Sequence, residues 1–264
     1  MFVRLERIGK KVIGKLKGNG SHPSVPTTIV TTPKFDPILQ FHSDRYLRHN
    51  ARRLEHLASL RIPVRGKTVL EVGAGIGDHS HYYIDRGCKI TITEAREENL
   101  THLRTRYSDQ DIRSLDLEHP SFVEGAPFDL VHCYGILYHV KTPGEVLRFL
   151  SEHCREMLFL ETCVSFGKAK EINLVEEDVN QYVTAVSGVG CRPTRIWLYE
   201  TLRELFDYVY LPKSQPNHEE FPLDWDHPEK HTGVFSRAIF ICSRTPLINE
   251  MLTETLLDVQ VPHE

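Results

Sequence analysis

Two carboxylates bracket a run of glycines: Glu71 stands before Gly73-Ala74-Gly75-Ile76-Gly77, and Asp78 directly follows it. Glycine in such a turn permits positive φ and lets a ligand approach the backbone with no Cβ in the way. The start of a following helix offers unpaired N–H groups to an anionic ligand group. The order is GxGxG, not the dinucleotide fingerprint GxGxxG, and Asp78 occupies the place of its last glycine. An acid at that helix start opposes a pyrophosphate electrostatically. Acids on both sides of the loop suit a ligand with a positive centre better than one with two phosphates.

Two further acids follow at useful places. Glu94, next to Ala95, closes the second apolar run, 21 residues beyond Gly73 (94 − 73). A carboxylate there can accept from both hydroxyls of a ribose, which needs two acceptor oxygens. Asp116-Leu117 closes a third run. Its acid can accept from an adenine amino group while the leucine packs on the ring. Three strand ends thus offer adjoining pockets for an amino acid, a ribose and a base.

The elements that must position these residues alternate. KTVLEV, CKITITEA, DIRSLDL, FDLVHCY and REMLFLETCV read as strands, with helices over 78–86 and 97–107 between them. A further helix starts at Pro143, with Thr142 and Glu145 as a capping box. A helix over 198–206, the strands YVYLP and GVFSRAIFICS, and a terminal helix over 247–257 complete the reading. Such alternation predicts a parallel sheet covered by helices on both faces. Residues 35–62 read as a helical cap, with Tyr46, Leu47, Asn50, Leu54, Leu57 and Leu60 on an apolar side and Arg45, Arg48, Arg52 and Arg53 on a polar one.

Composition sets outer limits. The 264 residues are 40% hydrophobic and 26% charged, enough for a core, and the net charge of −4 argues against coating nucleic acid by global attraction. Six cysteines without CxxC spacing read as buried hydrophobes in a reducing cytosol. No apolar stretch approaches the roughly 20 residues that span a bilayer, so the expected location is cytoplasmic. Residues 1–34 read as a basic amphipathic helix and linker, suited to an anionic membrane surface or to packing on the domain or a second subunit.

VLEVGAGIG, Glu94, Asp116 and FDLVHCYGILYHV, in that order and at that spacing, resemble the motifs of the class I S-adenosylmethionine (SAM)-dependent methyltransferases. The resemblance is strong over 68–164 and looser to 243. It implies an α/β, Rossmann-like seven-stranded sheet, mostly parallel, with an antiparallel last strand between the fifth and sixth. It further implies SAM as cofactor and S-adenosylhomocysteine (SAH) as product, with Glu71, Gly73, Ala74 and Gly75 at the methionine end. Tyr134 and Gly135 would border the sulfonium, with Tyr138 and His139 facing it.

Methyl transfer to an alcohol or phenol needs a general base, and His139 is the candidate; a pocket wall or a loop-tying residue is its other reading. The segment 211–231, rich in proline and histidine, is a candidate acceptor-site loop, with His218, Phe221 and Trp225 as contacts and His42 and His49 completing the pocket. His218, His227 and His231 lack a metal-ligand spacing, so no metal is expected.

The leading expectation is O-methylation of a small molecule or a glycan. GILYHVKTP followed by LFLETCVS is also similar to the enzymes that transfer a carboxymethyl group from carboxy-SAM to the wobble uridine of tRNA, although Val140 stands where those place a basic residue. The alternatives are therefore tRNA modification, supported by the arginines at 45–53, and a SAM-binding scaffold without catalysis.

Overall fold

The computed structural model describes residues 37–179 and 184–263, so the basic helix and linker expected over residues 1–34 lie outside the described residues. The eight strands of the main sheet run in the order β11-β8-β10-β5-β4-β1-β2-β3. Of these, β1 (Thr68–Glu71), β2 (Lys89–Glu94), β3 (Asp111–Ser114), β4 (Phe128–Tyr134) and β5 (Cys154–Cys163) are parallel. β8 (Tyr208–Pro212) lies beyond β10 (Arg237–Ser243), which pairs antiparallel with both β5 and β8. That is the expected ending of the sheet.

Side chains alternate between two faces, as the pleat requires. Leu70, Val131, Leu158, Leu160 and Phe240 pack on one side against α5 (Pro143–Glu152) and α6 (Arg195–Leu205). Val69, Leu130, Phe159, Ile239 and Ile241 pack on the other against α2 (Asp44–Ser59), α3 (Ser80–Ile84) and α4 (Glu97–Arg106). Because both faces are covered, the central strands read as continuous apolar runs.

The sheet has eight strands where seven were expected. The extra one is β11 (Leu252–Thr253), paired antiparallel with β8 inside the segment read as a terminal helix. Side chains there serve the backbone locally: Asn249 Oδ1 accepts the Met251 N–H at 2.9 Å and Thr253 Oγ1 accepts that of Thr255 at 3.2 Å. Such bonds offer the chain an alternative to a helix. The capping box is also absent as a side-chain device, since Thr142 caps α5 through its carbonyl, which accepts the N–H groups of Glu145 and Val146.

The helical cap consists of α1 (Pro37–Phe41) and α2. Its buried side differs from the apolar one expected. His49, Asn50, Arg53 and His56 are buried together with Leu57, while Leu47 is exposed. A helix presenting polar groups inward needs polar partners there: those of Asn50 and Arg53 lie at the cleft described below, while His56 Nε2 meets the Ser214 carbonyl at 2.9 Å.

Four further strands were not anticipated. β6 (Ile172–Glu176) and β7 (Val189–Pro193) form an antiparallel hairpin beside the sheet, and β9 (Ser214–Gln215) pairs with β12 (Val261–Pro262). The hairpin docks closely because Gly190 has no side chain. A Cβ there would stand 2.4 Å from the Tyr138 carbonyl oxygen and 2.5 Å from Glu177 Oε1.

Candidate active site

A cavity of about 540 Å³ opens at the carboxyl ends of β1 to β4, where ligands bind in open α/β sheets. Glu71, Gly73, Ala74, Gly75, Glu94, Ala95, Asp116, Leu117, Tyr134 and Gly135 all line it, as do Tyr138 and His139. Chain register explains the convergence: β1, β2 and β4 pair in parallel, so their last residues share one edge of the sheet.

The glycine turn is shaped from several sides. Gly75 has φ 59°, and a Cβ on it would lie 2.8 Å from the Phe41 ring of α1. Its N–H donates to Glu94 Oε2 at 2.8 Å, while Glu94 Oε1 accepts from the N–H groups of Ala95 and Arg96. Glu94 therefore braces the turn as well as lining the cavity. Burial raises its pKa, against the pull of those N–H groups.

Glu71 is fully buried, and burial pushes its carboxyl up to about 7 despite the hydrogen bond donated by Ser80 at 2.5 Å. Asp78, by contrast, pairs with Arg106 at 2.6 Å and accepts from Asn50 Nδ2 at 3.3 Å. Of the two acids flanking the glycines, Glu71 is the one that no basic side chain among the described residues pairs with directly.

The far end of the cavity is built from charges brought together over long sequence distances. Arg53 Nη2 pairs with Glu161, which is wholly buried at the end of β5. Arg237 Nη1 reaches the other oxygen of Glu161 at 3.0 Å, its Nε reaches Glu220 at 2.8 Å, and its Nη2 donates to the Tyr138 hydroxyl at 3.2 Å. Arg45 also pairs with Glu220. Sequence reasoning missed Arg237, Glu161 and Glu220, and read Arg53 as a solvated charge.

His139 sits on a short 3₁₀ turn, Leu137–His139, directly after β4. Its Nδ1 lies 2.5 Å from Glu177, just beyond β6, and Glu177 also accepts from the Ala185 N–H at 2.7 Å and Arg192 at 3.2 Å. Burial lowers the pKa of His139 even though Glu177 pulls it upward. Burial raises that of Glu177, but its hydrogen bonds and the imidazole outweigh this, and the net shift is downward. The result is a neutral imidazole with Nδ1–H donated to a carboxylate and Nε2 left as a base. Glu177 was another omission; only the alternation in INLVE preceding it hinted at a strand nearby.

Four substrate expectations fall outside the cavity, among them Phe221, which is buried in the core with its ring 5.7 Å from that of His49. His42 is exposed in the turn between α1 and α2 and does not line the cavity. Trp225 is buried in the core, its Nε1–H donating to Gln260 at 2.9 Å, with Phe166 and the Arg195 guanidinium against its ring. Its size and one donor were satisfied by packing rather than by a ligand. His218 lies behind His49, ring centroids 4.7 Å apart, and faces a separate surface depression. The loop 211–231 reaches the cavity through Glu220 instead.

His49, His218 and Glu220 form a buried cluster of metal-ligand type. Their chemistry fits a cation poorly. His218 Nδ1 accepts the Glu220 N–H at 3.2 Å, which leaves the proton on Nε2, and both oxygens of Glu220 face guanidinium groups.

Residues 70–157 match a family model described as a methyltransferase domain. Over 125 residues the chain is 33% identical to a ubiquinone biosynthesis O-methyltransferase of Caulobacter vibrioides, covering 44% of this chain and 48% of that protein. A protein of the same description from Bordetella avium is 28% identical over 103 residues. The chain thus matches about half the length of these curated relatives.

Among solved structures, the N-terminal domain of EvdMO1, crystallised with SAH and D-fucose, superposes with a TM-score of 0.57 at 20% identity, over 76% of this chain and 84% of that one. A SAM-dependent methyltransferase from Mesorhizobium loti gives 0.54 at 15%, over 75% and 100%. Sheet order, motif placement and these matches converge: residues 70–157 match a methyltransferase domain, and the chain has the fold of the class I SAM-dependent methyltransferases.

Proposed function

We propose that the chain is a SAM-dependent O-methyltransferase acting on a small-molecule or glycan hydroxyl. The observation that carries the reading is the His139–Glu177 pair beside Gly135 and Tyr138, in the wall of the cavity formed at the strand ends.

The residues fit the cofactor. Glu94 and Asp116 offer acceptors for a ribose and an adenine amino group, and Gly75 leaves room for close backbone approach. Glu71 supplies a carboxylate without a basic partner for a positive centre. When bound, the sulfonium would supply an activated methyl group for in-line displacement, in which alignment carries much of the rate. Glu177 holds His139 in one tautomer, and Nε2 takes the hydroxyl proton as the oxygen attacks. Tyr138, fixed by Arg237, walls the acceptor side.

The relatives named for O-methylation support the choice of oxygen. The arginines of α2 weigh against tRNA: Arg45, Arg48, Arg52 and Arg53 all pair with glutamates of this chain, so their charge is largely committed. The carved cavity likewise weighs against a scaffold without catalysis. Tyr138 keeps its expected place at the acceptor, and the contacts expected of His42, His218 and Trp225 fall instead to Arg192 and Phe235, which line the cavity with it.

The test is transfer of labelled methyl from SAM to a panel of phenols, sugar hydroxyls, amines and unmodified tRNA. The expected product is a methyl ether on a phenol or sugar. Labelling confined to amines or tRNA would overturn the assignment.

A further inference from the structure

Near the glycine turn, a chain of three buried side chains ends on an unused donor. The Tyr83 hydroxyl lies 2.8 Å from His132 Nδ1, and His132 Nε2 lies 3.1 Å from His79 Nδ1. All three residues are buried, Tyr83 completely.

The direction of this chain follows from the phenol. Burial drives the Tyr83 pKa far above its usual value, so the hydroxyl keeps its proton. A buried O–H left without an acceptor is costly, so it donates to His132 Nδ1. His132 then carries its proton on Nε2 and donates to His79 Nδ1. His79 in turn carries its proton on Nε2, where no partner meets it among the described residues. Burial and the nearby Arg53 keep this imidazole uncharged, a donor without a formal charge.

Four other buried polar atoms on residues lining the cavity lack a partner among the described residues: Arg53 Nε, the Tyr134 hydroxyl, His49 Nε2 and the acceptor Asn99 Oδ1; the first two are donors. Buried polar atoms are nearly always paired in folded proteins. Three unpaired donors in one wall call for a ligand that accepts. Glu71, also in that wall, calls for one that carries positive charge. An α-amino acid arm presents both, a carboxylate and an ammonium.

We propose that His79, oriented by Tyr83 through His132, donates its Nε2–H to the carboxylate of the cofactor's aminoacyl arm, with Arg53 Nε and Tyr134 as companion donors. This rests on the SAM reading above. It makes His79 a cofactor-binding residue and makes Tyr83 and His132 positioning residues, none of which the motif comparison singled out.

The experiment compares SAH with 5′-methylthioadenosine, the same thioether nucleoside without the aminoacyl arm. His79→Leu is expected to weaken SAH binding about 10- to 100-fold, the worth of a hydrogen bond to a charged group, and to leave the arm-less nucleoside unaffected. Tyr83→Phe, which frees the tautomer while conserving shape, is expected to weaken SAH about 3- to 10-fold.

In the wild-type protein, the ¹⁵N-detected Nε2–H signal of His79 is expected to shift with SAH but not with the nucleoside. This readout requires no variant to fold. Equal losses for both ligands would assign His79 a purely structural role and overturn the proposal. An unmoved Nε2–H signal with SAH bound would do the same. Wild-type protein that binds neither ligand would defeat the cofactor reading itself, and a preference for the nucleoside over SAH would defeat only the arm assignment.

Discussion

The two ends of the cavity are built by different means. At the glycine end, backbone geometry and strand register make the site: Gly75 takes a left-handed conformation, and Glu71 and Glu94 end adjacent parallel strands. At the acceptor end, side-chain charges make it. Arg53 meets Glu161 across 108 residues of sequence, Arg237 meets Glu161 across 76, and His139 meets Glu177 across 38. The first end depends on local chemistry, while the second depends on the finished fold.

The largest expected effect breaks the second end. Glu161→Leu leaves Arg53 and Arg237 buried without their shared counter-charge. Removing one partner of a buried pair costs about 3–5 kcal/mol, so a clear drop in the urea midpoint is expected. A midpoint within experimental scatter of wild type would show that the arginines hold themselves by other contacts.

Next comes the separation of chemistry from binding. His139→Ala is expected to lower turnover about a hundredfold or more while SAM affinity stays unchanged, measured by labelled transfer alongside direct titration. Turnover close to wild type would return His139 to the cavity wall. Glu94→Ala addresses the opposite end and should weaken SAM about 10- to 100-fold through lost charged hydrogen bonds. An unaltered affinity would sever the link between that strand end and the ligand.

The smallest expected effect lies outside both ends. Trp225→Phe removes the hydrogen bond to Gln260 and should cost about 1 kcal/mol of stability, with no change in the KM for either substrate. A raised acceptor KM would bring Trp225 back into the site.

This contrast also explains what was legible in the sequence. The alternating strands and the residues at their ends were readable, because a glycine turn and a strand-end acid carry their own geometric demands, whereas the place of the antiparallel β10 was implied only by the family resemblance. The buried polar face of α2 was not, since a helix with arginines at 45, 48, 52 and 53 gives no sign of which will find a carboxylate. Glu177 was hidden for a similar reason: it becomes chemical only when the β6–β7 hairpin docks against the turn bearing His139. Trp225 misled in the opposite sense, because an aromatic residue in a proline-rich loop serves a core as readily as a ligand.

The central claim is that the glycine end receives SAM rather than a dinucleotide. Calorimetric titration of the wild-type protein near pH 7, in two buffers of different ionisation enthalpy, tests it directly. The account predicts one-to-one binding of SAM and no heat with NAD. Because Glu71 sits at about 7, a cation beside it favours the carboxylate, and binding should release part of a proton, a release that Glu71→Gln abolishes. Tight binding of NAD, or no binding of SAM or SAH, would contradict the account.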